Sequence, residues 1–221
     1  MSTKSKIIIS ICIIIAIIGL TCGIRAIKNF YVIEKIHNSI QSNIEKDNYY
    51  LITDIKYNDT TSITKTFYKN GVGKMIAENG VYTWTDGKNA YMVDEENKTI
   101  YSLSFDNSIG LVSNEMFASL IPGYGKNLFE RFCLSANLKN SIKTDTIDDK
   151  KCYKIKISEK NYTKTYWIEK NSNKTLKAKL EFNDGNYYEY DYKLQFGVTK
   201  TKDIELPDIS EYTKIEAQAN D

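Results

Sequence analysis

The sequence predicts an antiparallel β-rich domain, α+β in class, behind one apolar segment long enough to cross a membrane. Three observations carry that prediction. Dipeptides that tolerate positive backbone φ recur at Asn70-Gly71, Asn79-Gly80, Asp86-Gly87 and Asp184-Gly185, and they mark hairpin turns. Apolar and charged residues alternate with the period of a strand, as where Leu176, Ala178, Leu180 and Phe182 interleave with Lys177, Lys179 and Glu181. Tyrosine is abundant with 17 residues and proline scarce with two, which suits strands joined by tight turns.

The apolar segment comes first. Ile7 to Ile24 carries no charge and is long enough to span a bilayer. Its exit, Leu20-Thr21-Cys22-Gly23-Ile24-Arg25, lacks the small-x-small pattern of a cleaved signal peptide. A lipoprotein signal wants Leu three residues ahead of the modified cysteine and a small residue one ahead; Cys22 follows Gly19-Leu20-Thr21, so lipidation there is disfavoured. Lys4 and Lys6 on one side face Arg25, Lys28 and Lys35 on the other, and the positive-inside rule does not decide orientation. The expected division is a short tail and anchor over 1–28, a folded domain over 29–206 and a C-terminal tail over 207–221 without sustained pattern.

Behind the anchor, Phe30, Ile33, Ile36, Ile40 and Ile44 recur at three- and four-residue steps, predicting an amphipathic helix over about 29–46. Strands are expected near 49–57, 62–69, 72–78, 81–85, 89–94 and 98–105, then near 138–147, 151–158, 162–169, 175–183 and 186–196. In the last of these, Tyr188, Tyr190, Tyr192, Leu194 and Phe196 alternate with Glu189, Asp191, Lys193 and Gln195, so one face of the sheet is apolar and the other wet. Between the two groups of strands, Ser113 to Ile121 and Lys126 to Leu134 read as two short helices that cover the apolar face.

Chemistry is largely excluded. The net charge is +2, with 30 basic and 28 acidic residues, so no basic field points to nucleic acid. A single histidine, His37, removes the central part of His-rich metal sites and Ser-His catalysis. The glycine runs at Gly71-Val72-Gly73-Lys74 and Gly123-Tyr124-Gly125-Lys126 lack phosphate-loop spacing. Asp94-Glu95-Glu96 reads as an exposed turn rather than a calcium site. No cofactor, metal or catalytic residue is expected, and the chain is read as a non-enzyme. Cys133 and Cys152 either pair, closing a loop of about 20 residues worth roughly 3 kcal/mol, or stand as two free buried thiols.

Two stretches carry a resemblance. Val81-Tyr82-Thr83-Trp84-Thr85-Asp86-Gly87-Lys88-Asn89-Ala90-Tyr91-Met92-Val93-Asp94 is an aromatic strand turning at Asp-Gly-Lys into a second aromatic strand. Tyr166-Trp167-Ile168-Glu169-Lys170 is followed by Leu176-Lys177-Ala178-Lys179-Leu180. Both, together with the order of elements, resemble the LolA-like superfamily of lipoprotein carriers and lipid-binding lipoproteins. The resemblance implies a strongly curved antiparallel sheet, an incomplete barrel covered by helices, whose apolar groove binds acyl chains. It also implies an extracytoplasmic domain on the bacterial cell envelope. Trp84, Tyr91, Met92, Phe117, Phe129 and Trp167 are the ligand-lining residues expected on that basis. A retained anchor departs from a soluble shuttle and favours local lipid or lipoprotein handling or sensing. The alternative is a regulatory or structural envelope protein whose groove is filled by its own helices and which acts through a protein partner.

Overall fold

A computed structural model of the chain describes residues 3–58, 60–103 and 120–216. The expected helix over 113–121 and Phe117 fall almost wholly outside those residues. The first element is one uninterrupted helix, α1 (Thr3–Ile44), of 42 residues. At 1.5 Å per residue it is about 63 Å long. It joins the two segments expected over 7–24 and 29–46. No proline separates them, and Gly19 and Gly23 cost only about 1 kcal/mol each against alanine, which is too little to break the helix. Among the described residues, α1 is the one helix long and apolar enough to cross a membrane. It ends at Asp47, whose φ of 54° turns the chain and whose amide donates to the Ile44 carbonyl at 2.8 Å.

Six strands follow: β1 (Asn48–Tyr57), β2 (Thr60–Lys69), β3 (Val72–Ala77), β4 (Tyr82–Thr85), β5 (Ala90–Asp94) and β6 (Thr99–Ser102). A helix, α2 (Leu128–Ala136), precedes β7 (Ser141–Ile147), β8 (Lys150–Ser158), β9 (Tyr162–Glu169), β10 (Thr175–Phe182) and β11 (Tyr187–Phe196). Asn127 caps α2: its side chain accepts from the Glu130 amide at 2.9 Å while Glu130 accepts from the Asn127 amide at 2.8 Å. The last strand, β12 (Thr213–Glu216), lies in the tail expected to be patternless.

These strands form one twelve-stranded curved sheet in the order β12-β6-β5-β4-β3-β2-β1-β11-β10-β9-β8-β7. The sheet does not close into a barrel, so β12 and β7 stand at its edges. Every neighbouring pair is antiparallel except β12 with β6. The expected curved, incomplete barrel is therefore the observed architecture. Asn70 and Gly71 both take positive φ, the geometry of a two-residue hairpin turn. Asp148 and Asp149, with φ of 47° and 63°, do the same between β7 and β8 without a glycine, a turn the dipeptide signals did not mark.

Two apolar clusters close the two faces of the sheet. Successive strand residues point to opposite faces. On one face, here called the helix face, Ile36 and Ile40 of α1 pack with Leu51, Ile155, Tyr166, Ile168 and Leu194. Each fully buried aliphatic side chain contributes roughly 1.5–3 kcal/mol relative to exposure. On the opposite face, Tyr82, Val93 and Ile100 of β4–β6 pack with Tyr212, and Leu206 and Ile209 lie against them. The chain beyond β11 thus covers the first-formed hairpins from the side away from α1.

Candidate functional site

An open cleft of about 190 Å³ lies on the helix face, over β8 and β9. Ile157, Tyr162 and Tyr166 form its floor, while Ile121, Tyr124 and Leu134 wall it from the segment leading into α2 and from α2 itself. Gly123 takes φ of 75° at the rim, and a Cβ there would stand 3.2 Å from the Arg131 side chain, so the bend of this wall depends on glycine. Arg131 is itself buried, held by Glu34 of α1 through Nε and, at 3.2 Å, through Nη2. That pair fastens α2 to α1 and so fixes the far wall.

Three charged side chains share the cleft: Lys126, Glu159 and Lys164. Lys164 is the unusual one, because the register places it on the helix face between Ile157 of β8 and Leu180 of β10. Burial holds its ammonium below the usual lysine range. Its Nζ lies 5.5 Å from the Tyr166 ring centroid, an attraction that desolvation strengthens. Burial also pushes the Tyr124 and Tyr166 hydroxyls up, so both are protonated donors at neutral pH.

Aromatic rings continue from the cleft along the same face. Tyr162 meets Phe182 at 6.4 Å, Phe182 meets Tyr188 at 6.2 Å, and Tyr188 stacks on Tyr57 at 4.4 Å. These are cross-strand and diagonal contacts of the kind that stiffen a sheet. They leave a half-buried aromatic row beside the cleft.

Of the described residues expected to line a groove, Trp84 and Tyr91 meet, and the others stand apart from them. Met92 lies on the helix face, in register with Thr83 and Tyr101. Trp84 and Tyr91 stack on each other at 6.0 Å on the opposite face, where the Trp84 indole donates to the Ile204 carbonyl at 2.8 Å. Trp167 is also on that opposite face, donating to Asp145 at 2.9 Å with Lys154 4.9 Å over its ring. The indole bond, the Thr146 amide and Lys154 hold the Asp145 carboxyl below the usual range. Phe129 projects from α2 and is 73% exposed. Phe117 lies outside the described residues. The physical reason is the period of two: Tyr91 and Met92 are consecutive and cannot share a face.

Cys133 is exposed on α2 and Cys152 is buried in β8, and both are free thiols. Burial pushes the Cys152 thiol up, and its Sγ lies 3.4 Å from the Lys150 carbonyl. Among the described residues no cluster of three His, Cys, Asp or Glu side chains is placed to hold a metal ion. The cleft residues Tyr162, Lys164 and Tyr166 were not anticipated. Their signal is in the sequence: Lys164 interrupts the inward series Tyr162, Tyr166 and Ile168 with a charge.

The class defined by this architecture is an open, helix-covered antiparallel sheet. No protein-family profile matches the chain, and no curated protein matches it. Solved structures do. An uncharacterised conserved protein from Thermus thermophilus is similar over 83% of this chain and 98% of its own, at 6% identity and a TM-score of 0.53. The MucA/MucB complex of Pseudomonas aeruginosa is similar over 82% of this chain and 63% of its own, at 8% identity and a TM-score of 0.48. A LolA superfamily protein from Nitrosomonas europaea is similar over 75% of this chain and 97% of its own, at 11% identity and a TM-score of 0.30. LolA superfamily proteins are thus among the structural neighbours. At such identities the likeness is one of fold.

Proposed function

We propose that this chain is a single-pass, membrane-anchored and extracytoplasmic binding protein of the cell envelope, without enzymatic activity, that senses a single-chain acyl amphiphile at the helix-face cleft. The observation that supports this reading is the cleft itself, a tyrosine-rich trough on the helix face whose lining is about half apolar and half polar, with a partly buried lysine in its floor. Each buried methylene contributes about 0.8 kcal/mol, and no dedicated polar framework is needed. Lys164 and Lys126 favour an anionic head, and Glu159 at the rim restricts which heads are accepted. A volume of about 190 Å³ is below the roughly 300–1,000 Å³ of ordinary ligand pockets. It accommodates part of one chain, which fits local sensing better than carrying a whole lipid. Of the lining residues expected from sequence, Met92 shares the face of the cleft, and Phe129 stands on the helix that supplies Leu134 to its wall.

A second reading is favoured by one observation. Part of each face of the sheet is already covered by the chain's own elements, α1 over β8–β11 and β1 on one and residues 204–212 over β4–β6 on the other. A protein so filled acts through an envelope protein partner rather than a lipid. Native mass spectrometry of the full chain, purified from its own membrane with organic extraction of bound species, separates the two. A stoichiometric acyl amphiphile that is lost in Tyr162→Asp, with the thermal midpoint retained, supports the first reading. A clean apo mass with no uptake of added fatty acid or lysophospholipid overturns it in favour of the second.

A further inference from the structure

α2 lies antiparallel against the part of α1 that follows the apolar segment. Arg25 donates to the Asn140 carbonyl, Asn29 to the Ser135 carbonyl at 3.3 Å, Phe30 meets Phe132 edge-on at 5.6 Å, and Glu34 pairs with Arg131. The order of these contacts puts the C-terminal end of α2, and Leu138 after it, beside Arg25, the first charge beyond the span. Large apolar side chains on this pair of elements face outward rather than into the sheet. Phe129 is 73% exposed, Leu138 66% and Tyr31 71%, and Ile27, Leu128 and Phe132 are exposed with them. Single exposed apolar residues are ordinary, but several on one pair of packed helices mark an interaction surface.

We infer that the α1/α2 patch rests on the surface of the bilayer that α1 crosses. This rests on the reading of α1 as a membrane anchor. Continuity argues for lipid as the occupant. The patch prolongs, on the same helix, the exposed apolar side of Ile13, Ile17, Leu20 and Ile24. That side stays apolar through Ile27 and ends in Tyr31, a residue type that settles at the headgroup level. Beyond it the helix turns polar at Lys35 and Asn38. Arg25, Lys28, Lys126 and Lys139 flank the patch and suit anionic headgroups. The acidic side chains nearby are engaged, Glu34 with Arg131 and Glu130 with the Asn127 amide. A lean of α1 toward its α2 side, within the ordinary tilt of spanning helices, brings Phe132 and Phe129 down to the interface. The cleft, which takes Leu134 from α2 and Lys126 from just before it, then opens next to the headgroups.

The exposed Cys133 on α2 provides the probe. The full chain carrying Cys12→Ala and Cys22→Ala is labelled at Cys133 with a bimane and reconstituted in vesicles of phosphatidylcholine and phosphatidylglycerol that carry nitroxide lipids. A second sample, Cys22→Ala with Cys133→Ala and labelled at Cys12, reports the span. The expected result is quenching of the Cys133 label by a nitroxide near the headgroup and quenching of the Cys12 label by one at the chain end. Phe129→Ser with Leu138→Ser abolishes the first, leaves the second, and keeps the circular dichroism of the folded sheet. A Cys133 label that is unquenched while the Cys12 label is quenched overturns the docking and leaves the anchor standing. If neither label is quenched, anchor and docking fall together.

Discussion

Across β7–β11 and β1, the apolar side chains of the sheet are closed off by α1, a helix that enters from the apolar N-terminal segment. Across β4–β6 they are closed by residues 204–212, on the opposite face, with the Trp84 indole bonded to the Ile204 carbonyl. The first seal is continuous with the proposed membrane anchor and is clamped to α2 by an ion pair. The second is a strip of irregular chain ended by four residues of strand. The difference teaches where the molecule is rigid and where it opens first, because local stability follows buried apolar contacts and protected backbone bonds.

The largest effects are expected from the clamp and the helix it holds. Arg131→Ala leaves the largely but not fully buried Glu34 without its partner and should cost about 3 kcal/mol, the lower end of the range for a buried pair, read from the urea midpoint of the full chain in detergent. Ile36→Ala opens a cavity under α1 and should cost roughly 2–5 kcal/mol in the same assay. An effect below about 0.5 kcal/mol, the range of unremarkable surface substitutions, would show that α1 does not seal the sheet.

Alkaline pH tests the helix-covered half next. Burial pushes the Tyr49 and Tyr166 hydroxyls well above their ordinary value of 10.0. Above that value the unfolded chain releases protons that the folded chain keeps, so stability falls as pH rises. Each such tyrosine contributes a slope of about 1.4 kcal/mol per pH unit. Tyr166→Phe should flatten the fall measured between about pH 9 and about pH 11, the range that brackets an ordinary tyrosine.

The smallest effect sharpens the comparison most. Trp84→Phe removes the donor to Ile204 and should cost about 0.5–1.5 kcal/mol. Hydrogen exchange should quicken in β4–β6 and stay unchanged in β8–β10. Faster exchange in both would show one cooperative unit and erase the distinction between the halves.

Much of this fold is legible in the residues. Alternation located eleven strands, and Ile33, Ile36 and Ile40 identified the helix stripe that is now buried. β12 was not legible, since Thr213 to Glu216 is short and pairs with β6 across more than half of the chain, where no local pattern reaches. Continuity of α1 was hidden by the change from an all-round apolar segment to a striped one, two patterns with the same helical geometry. The candidate site was read less well. Aromatic richness drew attention to Trp84 and Trp167, yet their indoles satisfy partners on the face away from α1. The informative residue was the lysine at position 164, whose cost on an apolar face is a stronger sign of use than another aromatic ring.

The parallel pairing of β12 with β6 sets an order of events during synthesis. β3 to β6 leave the ribosome before any of β7 to β11 exists, yet the residues that close their apolar face lie downstream of every one of those strands. Until residues 204–216 clear the exit tunnel, Tyr82, Val93 and Ile100 front an uncovered sheet with a bare edge at β6, the kind of surface on which nascent chains pair wrongly. The half of the molecule that is made first is therefore finished last, and a chaperone that shields β4–β6 would act in that interval.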